Sequence, residues 1–255
     1  MELVVASYGG GTNSTAELIE CVKRKEKVDL ILFADTGGER PETYKYVQMF
    51  SDWLVNHGMP GIIVVKKTDK NGQILTLEQN CLQQKALPSL AYGFKTCSQK
   101  FKIQPQEKFI NNWQPAVDTW KSGNKITRLV GYDAGEERRV KIYEDKKYNN
   151  RYPLIEWDID RDKCAQIILD AGLELPGKSS CFFCPSTKKK ELLKMRKEHP
   201  ELLERAFEME RNSELTVIDG LGRSYNWEKF IHAKESEFSL FCEYESDQLP
   251  CGCYD

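Results

Sequence analysis

A short apolar run, Leu3-Val4-Val5-Ala6, breaks directly into Ser7-Tyr8-Gly9-Gly10-Gly11-Thr12-Asn13-Ser14 and then into a stretch of helical periodicity. Consecutive glycines let a backbone pass an anion with no side chain in the way, while flanking hydroxyls and the first amides of the next helix supply donors. The first expectation is a strand feeding a phosphate loop. A tight structural connection is the bland alternative. No Lys-Ser or Lys-Thr closes the loop, which excludes a lysine-dependent P-loop, and the glycines lack Gly-x-Gly-x-x-Gly spacing.

The following pattern favours a nucleotide. Ala16, Leu18, Ile19 and Val22 recur at helical spacing, and Val28 to Ala34 is an apolar run that suits a strand covered on both faces, ending at Asp35-Thr36-Gly37. Pro41 opens a helix with Tyr44, Val47, Phe50 and Leu54, which breaks at Gly58-Met59-Pro60 before Ile62-Ile63-Val64-Val65. This alternation predicts an α/β fold, a doubly wound and mostly parallel sheet with ligands at the strands' carboxyl ends. Thr127 to Val130 reads as a fourth strand ending at Gly131, residues 141–152 as a polar loop, and 161–171 as a helix with Cys164 in the core. The expected partition is a nucleotide-binding α/β domain over 1–175 and a helical, cysteine-bearing C-terminal extension over 176–255.

A chain of 255 residues with 40% hydrophobic and 30% charged residues can bury one sizeable core. It shows neither an apolar run of membrane-spanning length nor a secretory signal, so a cytoplasmic location with no membrane partner is expected. The net charge of −2 gives no global attraction to nucleic acid. Basic runs at Arg138-Arg139-Val140-Lys141, Lys146-Lys147 and Lys188-Lys189-Lys190 are offset by neighbouring acids and read as solvated surface. Nine cysteines, an odd number, argue against a closed disulfide framework and for metal or redox chemistry.

Taken in order, several segments resemble the phosphoadenosine phosphosulfate reductase family, within the PP-loop adenine-nucleotide α-hydrolase group. They are the glycine loop, Asp35-Thr36-Gly37, Pro41-Glu42-Thr43, Cys97 to Pro105, Gly131 to Arg139, Pro153-Leu154 with Trp157, and Cys181-x-x-Cys184-Pro185. The resemblance implies ATP with Mg²⁺, its phosphates on Ser7, Gly9, Gly10, Gly11, Thr12, Asn13 and Ser14 and its adenosine near Asp35, Thr36 and Gly37. It also implies Lys102 and Arg139 as cations for a phosphate or sulfate group, catalytic together with Asn13. Asp-Thr-Gly equally suits a turn or helix cap, and either cation equally suits plain surface. The usual PP-loop, Ser-Gly-Gly-x-Asp-Ser, has a serine where this chain has Gly9 and an aspartate where it has Asn13. An amide still bonds phosphate but is a poorer ligand for Mg²⁺ than a carboxylate.

Cys21, Cys81 and Cys164 stand alone and read as small buried hydrophobes. Cys181 and Cys184, two residues apart, can turn both sulfurs to one ion. By resemblance to iron-sulfur members, Cys97, Cys181, Cys184 and Cys251 would hold a [4Fe-4S] cluster. The alternative is Zn²⁺ on Cys181, Cys184, Cys251 and Cys253. The expected function is an ATP pyrophosphatase that adenylates an acceptor for sulfur transfer, with nucleic-acid sulfuration such as DNA phosphorothioation fitting best by resemblance. A cysteine desulfurase would donate sulfur, and partner subunits would recognise nucleic acid. One alternative is a sulfonucleotide reductase, suggested by Pro250-Cys251-Gly252; another is a non-catalytic nucleotide-sensing subunit.

Overall fold

Five strands, β1 (Val4–Tyr8), β2 (Leu30–Asp35), β3 (Ile62–Lys66), β4 (Ile126–Leu129) and β5 (Tyr148–Arg151), form one all-parallel sheet in the order β3-β2-β1-β4-β5. The computed structural model describes residues 2–88, 96–140 and 145–246. The chain divides into two units, Met1–Leu77 with Thr96–Cys181, and Glu78–Lys95 with Phe182–Asp255. The first holds the sheet, with α1 (Thr12–Arg24), α2 (Pro41–Asn56), α4 (Thr96–Ser98), α5 (Gln104–Asn112), α6 (Gln114–Lys121), α7 (Pro153–Glu156) and α8 (Arg161–Asp170). The second holds α9 (Lys189–Glu198), α10 (Pro200–Asn212), α11 (Trp227–Ser246) and all but the first residue of α3 (Leu77–Gln83).

Alternating strand residues bury two faces. Ala6, Tyr8, Ile31, Phe33 and Leu129 pack with α1, α2 and α8 through Leu18, Phe50, Cys164 and Ile168, so Cys164 is a core residue as expected. Val5, Leu32, Ala34, Val65, Ile126 and Tyr148 pack on the other face with Ile110 and Ala116 of α5 and α6. The chain leaves β1 toward β2 and β3 on one side and reaches β4 on the other. The order therefore reverses between β1 and β4, and a crevice opens at their carboxyl ends.

Residues 141–152 are not all loop. Tyr148–Arg151 pairs with β4 as an edge strand in which Tyr148 alone is fully buried, and a polar edge has no apolar run to announce it. The division at Cys181, rather than 175, also takes Glu78–Lys95 into the second unit. Contacts distant in sequence hold that segment within the second unit: Arg205 pairs with Glu78, the Asn212 amide donates to Leu82 O at 2.9 Å, and Glu214 N donates to Lys85 O at 2.9 Å.

Within the second unit α9 ends before Pro200, which cannot continue a helix but suits the first turn of the next. The Glu210 carboxylate accepts from the amides of Leu221, Trp227 and Glu228 at 2.7–3.2 Å, satisfying the start of α11. Burial raises its pKa against those bonds. A Cβ at Gly220 would stand 2.3 Å from Glu210 Oε1, so this loop needs glycine there.

Candidate functional site

The glycine loop turns at Gly10, whose φ of +71° a side chain rarely adopts, and a Cβ there would stand 3.2 Å from Ser179 Oγ and 3.3 Å from Phe33. Ser14 Oγ accepts from Gly9 N at 3.1 Å and donates to Gly11 O at 3.2 Å, while Ser179 Oγ donates to Gly9 O. Gly11 is the extended residue before α1, and no side chain caps that helix. No acidic residue stands in its own first turn either; the carboxylates beside that turn, Asp133 and Glu136, reach it through the Asn13 side chain.

A cavity of about 440 Å³ lies there, between the ends of β1 and β4. Six of the predicted phosphate residues, Ser7, Gly9, Gly11, Thr12, Asn13 and Ser14, line it, and so does Arg139. Arg161 and Lys178, which the sequence reading passed over, add two cations. The Gly177-Lys178-Ser179 run was the available signal for one of them, and Ser179 is also the residue bonded to the loop. Arg161, at the start of α8, had none.

Asn13 is held from three sides. Its amide nitrogen donates to Asp133 Oδ2 at 2.8 Å and Glu136 Oε2 at 3.2 Å, and its oxygen accepts from Arg161 at 2.6 Å. Asp133 also accepts from Gly135 N at 2.9 Å, starting the 3₁₀ turn Ala134–Arg139 that carries Glu136 and Arg139. Arg139 pairs with Glu136 and lies 4.1 Å over the Tyr132 ring. Beneath the loop, Glu17 of α1 is 1% exposed, with Oε1 unpartnered, and sits against Gly131, where a Cβ would come within 3.2 Å of Oε2. Burial pushes its pKa up to about 8, Arg151 opposing and Glu156 adding.

Asp35, Thr36, Gly37 and Lys102 are not among the residues lining that cavity. Asp35 is buried, accepts from Gly37 N at 2.7 Å and Tyr44 OH at 2.8 Å, and pairs with Lys66 at 3.1 Å. Those bonds are the turn-capping role of an Asp-Thr-Gly sequence. Gly37 has φ +74°, and a Cβ would collide with Thr76 at 2.4 Å. Lys102 reaches the buried Glu39 at 3.1 Å. Thr36 Oγ1 lies 3.0 Å from the sulfur of Cys181, itself buried. Cys97 and Cys184 are half-buried. Cys97 and Cys181 belong to the first unit and Cys184 to the second, while Cys251 and Cys253 lie outside the described residues.

An all-parallel sheet with a crevice at its strand-order reversal, faced by a glycine loop and an uncapped helix N-terminus, defines the class: an α/β protein of the doubly wound kind. The phosphoadenosine phosphosulfate reductase domain matches residues 3–172, and the chain belongs to that family, PP-loop enzymes of sulfur-related chemistry. Two uncharacterised proteins of Methanocaldococcus jannaschii are similar to it. MJ0066 is 25% identical over 79% of this chain and 40% of its own length, and MJ0973 is 23% identical over 77% and 44%. The chain thus spans less than half the length of these relatives. Among solved structures it is similar to the U34-tRNA thiolase NcsA from Methanococcus maripaludis with its [4Fe-4S] cluster, at a TM-score of 0.44 and 14% identity, covering 88% of this chain and 77% of that one. Among the described residues no helix is long and apolar enough to cross a membrane.

Proposed function

We propose that the chain is an ATP pyrophosphatase that adenylates an acceptor oxygen for sulfur transfer, the acceptor being nucleic acid and a cysteine desulfurase the source of sulfur. The observation that carries this reading is one cavity of about 440 Å³ where the uncapped start of α1 meets Arg139, Arg161 and Lys178. A nucleoside triphosphate needs that convergence of backbone donors and cations. The acceptor oxygen attacks the α-phosphorus, the bond to the bridging oxygen of the β-phosphate breaks, and pyrophosphate leaves with the electron pair. The loop amides and the three cations stabilise the charge gathering on that leaving group. Sulfur then displaces AMP from the activated carbon or phosphorus.

Asp133 and Glu136 bring carboxylate oxygens to one point beside Asn13, a hard-oxygen set suited to Mg²⁺, and would hold it against the phosphates. Cys97, Cys181 and Cys184, with Cys251, would hold a [4Fe-4S] cluster; Zn²⁺ on Cys181, Cys184, Cys251 and Cys253 is the competing site. The Thr36 hydroxyl beside Cys181 fits either, since it can donate to a metal-bound thiolate. A bound cluster supplies iron sites for a transferable sulfur.

Incubation with ATP, Mg²⁺ and an oligonucleotide tests the reading. Pyrophosphate, with AMP transferred to or released from the acceptor, supports it. Sulfite from a sulfonucleotide with no pyrophosphate from ATP would overturn it in favour of the reductase. Tight ATP binding without either product would leave a sensing subunit.

A further inference from the structure

A second recess at the same edge of the sheet is basic. A pocket of about 260 Å³ is lined by Lys66, Lys67, Lys100 and Lys108 with Thr68 and Gln104, and no carboxylate lines it. Among the described residues, Lys66 of these four pairs with a carboxylate, that of Asp35. Lys67 donates to the Lys100 carbonyl at 3.4 Å, and Lys108 donates to Thr68 Oγ1 at 2.9 Å. Four lysines around so small a space, one of them balanced by Asp35, leave a surplus of positive charge that an anion offsets. The chain as a whole is acidic, at −2, so this concentration does not come from its overall charge.

The pocket opens into a neighbouring groove of about 500 Å³. Lys66, Thr68, Pro105 and Lys108 wall both, and the groove continues along Val64, Phe109 and Trp113 with the amides of Asn112 and Gln114. It too has no carboxylate in its lining. One end thus presents point charges, and the other presents the partly buried rings of Phe109 and Trp113 with the side-chain oxygens of Asn112 and Gln114, whose amide nitrogens donate to Lys108 O and Asp118 Oδ1. A phosphate ester joined to a flat base has that same division, and stacking on an aromatic ring requires the base to be out of a duplex.

The groove also lies within reach of the nucleotide cavity. β3 is two strand spacings from β1, about 10 Å, and its carboxyl end faces the same way. Helix α5 walls the groove with Pro105, Lys108 and Phe109, while its Gln106 accepts a hydrogen bond from Ser7 of the cavity lining at 2.8 Å. We propose that Lys66, Lys67, Lys100 and Lys108, continued by Phe109 and Trp113, form a binding groove for single-stranded nucleic acid. Phosphates lie on the lysines and a base stacks on the aromatic end. That the bound strand is the acceptor of adenylylation rests on the proposed function; the binding itself rests on the groove alone.

Fluorescence anisotropy with a labelled 12-nucleotide single strand tests it on the full chain, with and without ATP. Micromolar or tighter binding is expected, at least 100-fold tighter than a nucleoside monophosphate, with affinity falling steeply as salt rises. K67E together with K100E should weaken it at least tenfold and flatten the salt dependence, with the melting temperature showing that the variant folds; K121E together with K125E, the same charge change elsewhere, should not. Trp113→Phe should remove part of the quench of intrinsic fluorescence on binding. Equal affinity for duplex and single strand, equal affinity for the monophosphate, or an unchanged affinity in the double variant would overturn the proposal. Oligonucleotide binding without pyrophosphate release would instead fail the proposed function and leave the groove standing. Pyrophosphate release without oligonucleotide binding would fail the groove and the nucleic-acid acceptor together, and leave the ATP pyrophosphatase standing.

Discussion

The amide nitrogen of Asn13 donates to Asp133 Oδ2 at 2.8 Å, and this bond explains why the loop carries an amide where the PP-loop pattern has a carboxylate. Glu136 accepts from the same nitrogen at 3.2 Å, so an aspartate at position 13 would turn a donor to two carboxylates into a third carboxylate, with Arg161 still bonded to its other oxygen. Asn13→Asp should therefore lower stability by about 1–3 kcal/mol in the absence of divalent cations. Millimolar Mg²⁺ should restore much of the loss, since three carboxylates form a stronger cation site than two. Thermal melts in EDTA and in Mg²⁺ check this. Identical melting of variant and parent in EDTA would mean that the amide bonds contribute nothing.

Position 10 should be intolerant and position 9 permissive. Gly10→Ala combines a φ of +71° with contacts of 3.2 and 3.3 Å to Ser179 and Phe33, so a cost of about 1–2 kcal/mol and weakened ATP binding are expected. A Cβ at Gly9 meets nothing nearer than Ser14 Oγ at 3.7 Å. Gly9→Ser, which restores the usual hydroxyl, should fold normally and bind ATP at least as well as the parent by calorimetry.

Arg161 should act on nucleotide binding. It lines the cavity and donates to Asn13 Oδ1 at 2.6 Å, so Arg161→Ala removes a cation and a constraint on the loop. The KM for ATP should rise roughly tenfold, with lysine recovering only part of it because it lacks the planar fork. A fall confined to kcat would mean that Arg161 only orients Asn13.

How much of this was legible depended on whether the information was local. The glycine loop and the carboxyl ends of β1 and β2 declare themselves in runs of a few residues, because φ freedom, small size and apolar continuity are properties of neighbours in sequence. Arg161 lies 148 residues from Asn13, and nothing in its own helix marks it as a cavity cation. Asp35 was expected to position the nucleotide, with a turn cap as the alternative reading, and its bonds to Gly37, Tyr44 and Lys66 are those of a cap. The lysines of the groove come from the end of β3 and the residue after it, the π-helical segment Gln99–Ile103 and α5; the pair Lys66-Lys67 is visible in the sequence, but nothing local joins it to Lys100 and Lys108.

The cysteines should separate into two groups by metal content. Cys21 and Cys164 are buried in the core, and burial raises both thiols, Cys164 to about 12, which disfavours the thiolate a metal requires. Cys21→Ala and Cys164→Ala should keep the parent's iron or zinc stoichiometry after anaerobic purification. Cys181→Ala and Cys184→Ala should lose it. Zinc retained by Cys97→Ala at one equivalent, with no visible absorption in the parent, would select the zinc site over the cluster.

The last expectation concerns pH and belongs to Glu17. Burial comes first among the causes that lift its pKa to about 8, Arg151 lowers it, and Glu156 raises it further. In the unfolded chain the carboxyl returns to the ordinary value, near 4.5. Below that pH both states hold the proton and folding is not penalised. Between about 4.5 and 8 the unfolded state releases its proton while the folded state keeps it, so stability falls as pH rises through this window, at about 1.4 kcal/mol per unit for this group. Above about 8 both states are ionised, and the contribution levels off. Glu17→Gln copies the protonated side chain and should match the parent near pH 5 but exceed it at pH 8. Urea unfolding across the range measures the difference, and parallel pH profiles for the two proteins would show that Glu17 is already ionised in the folded state.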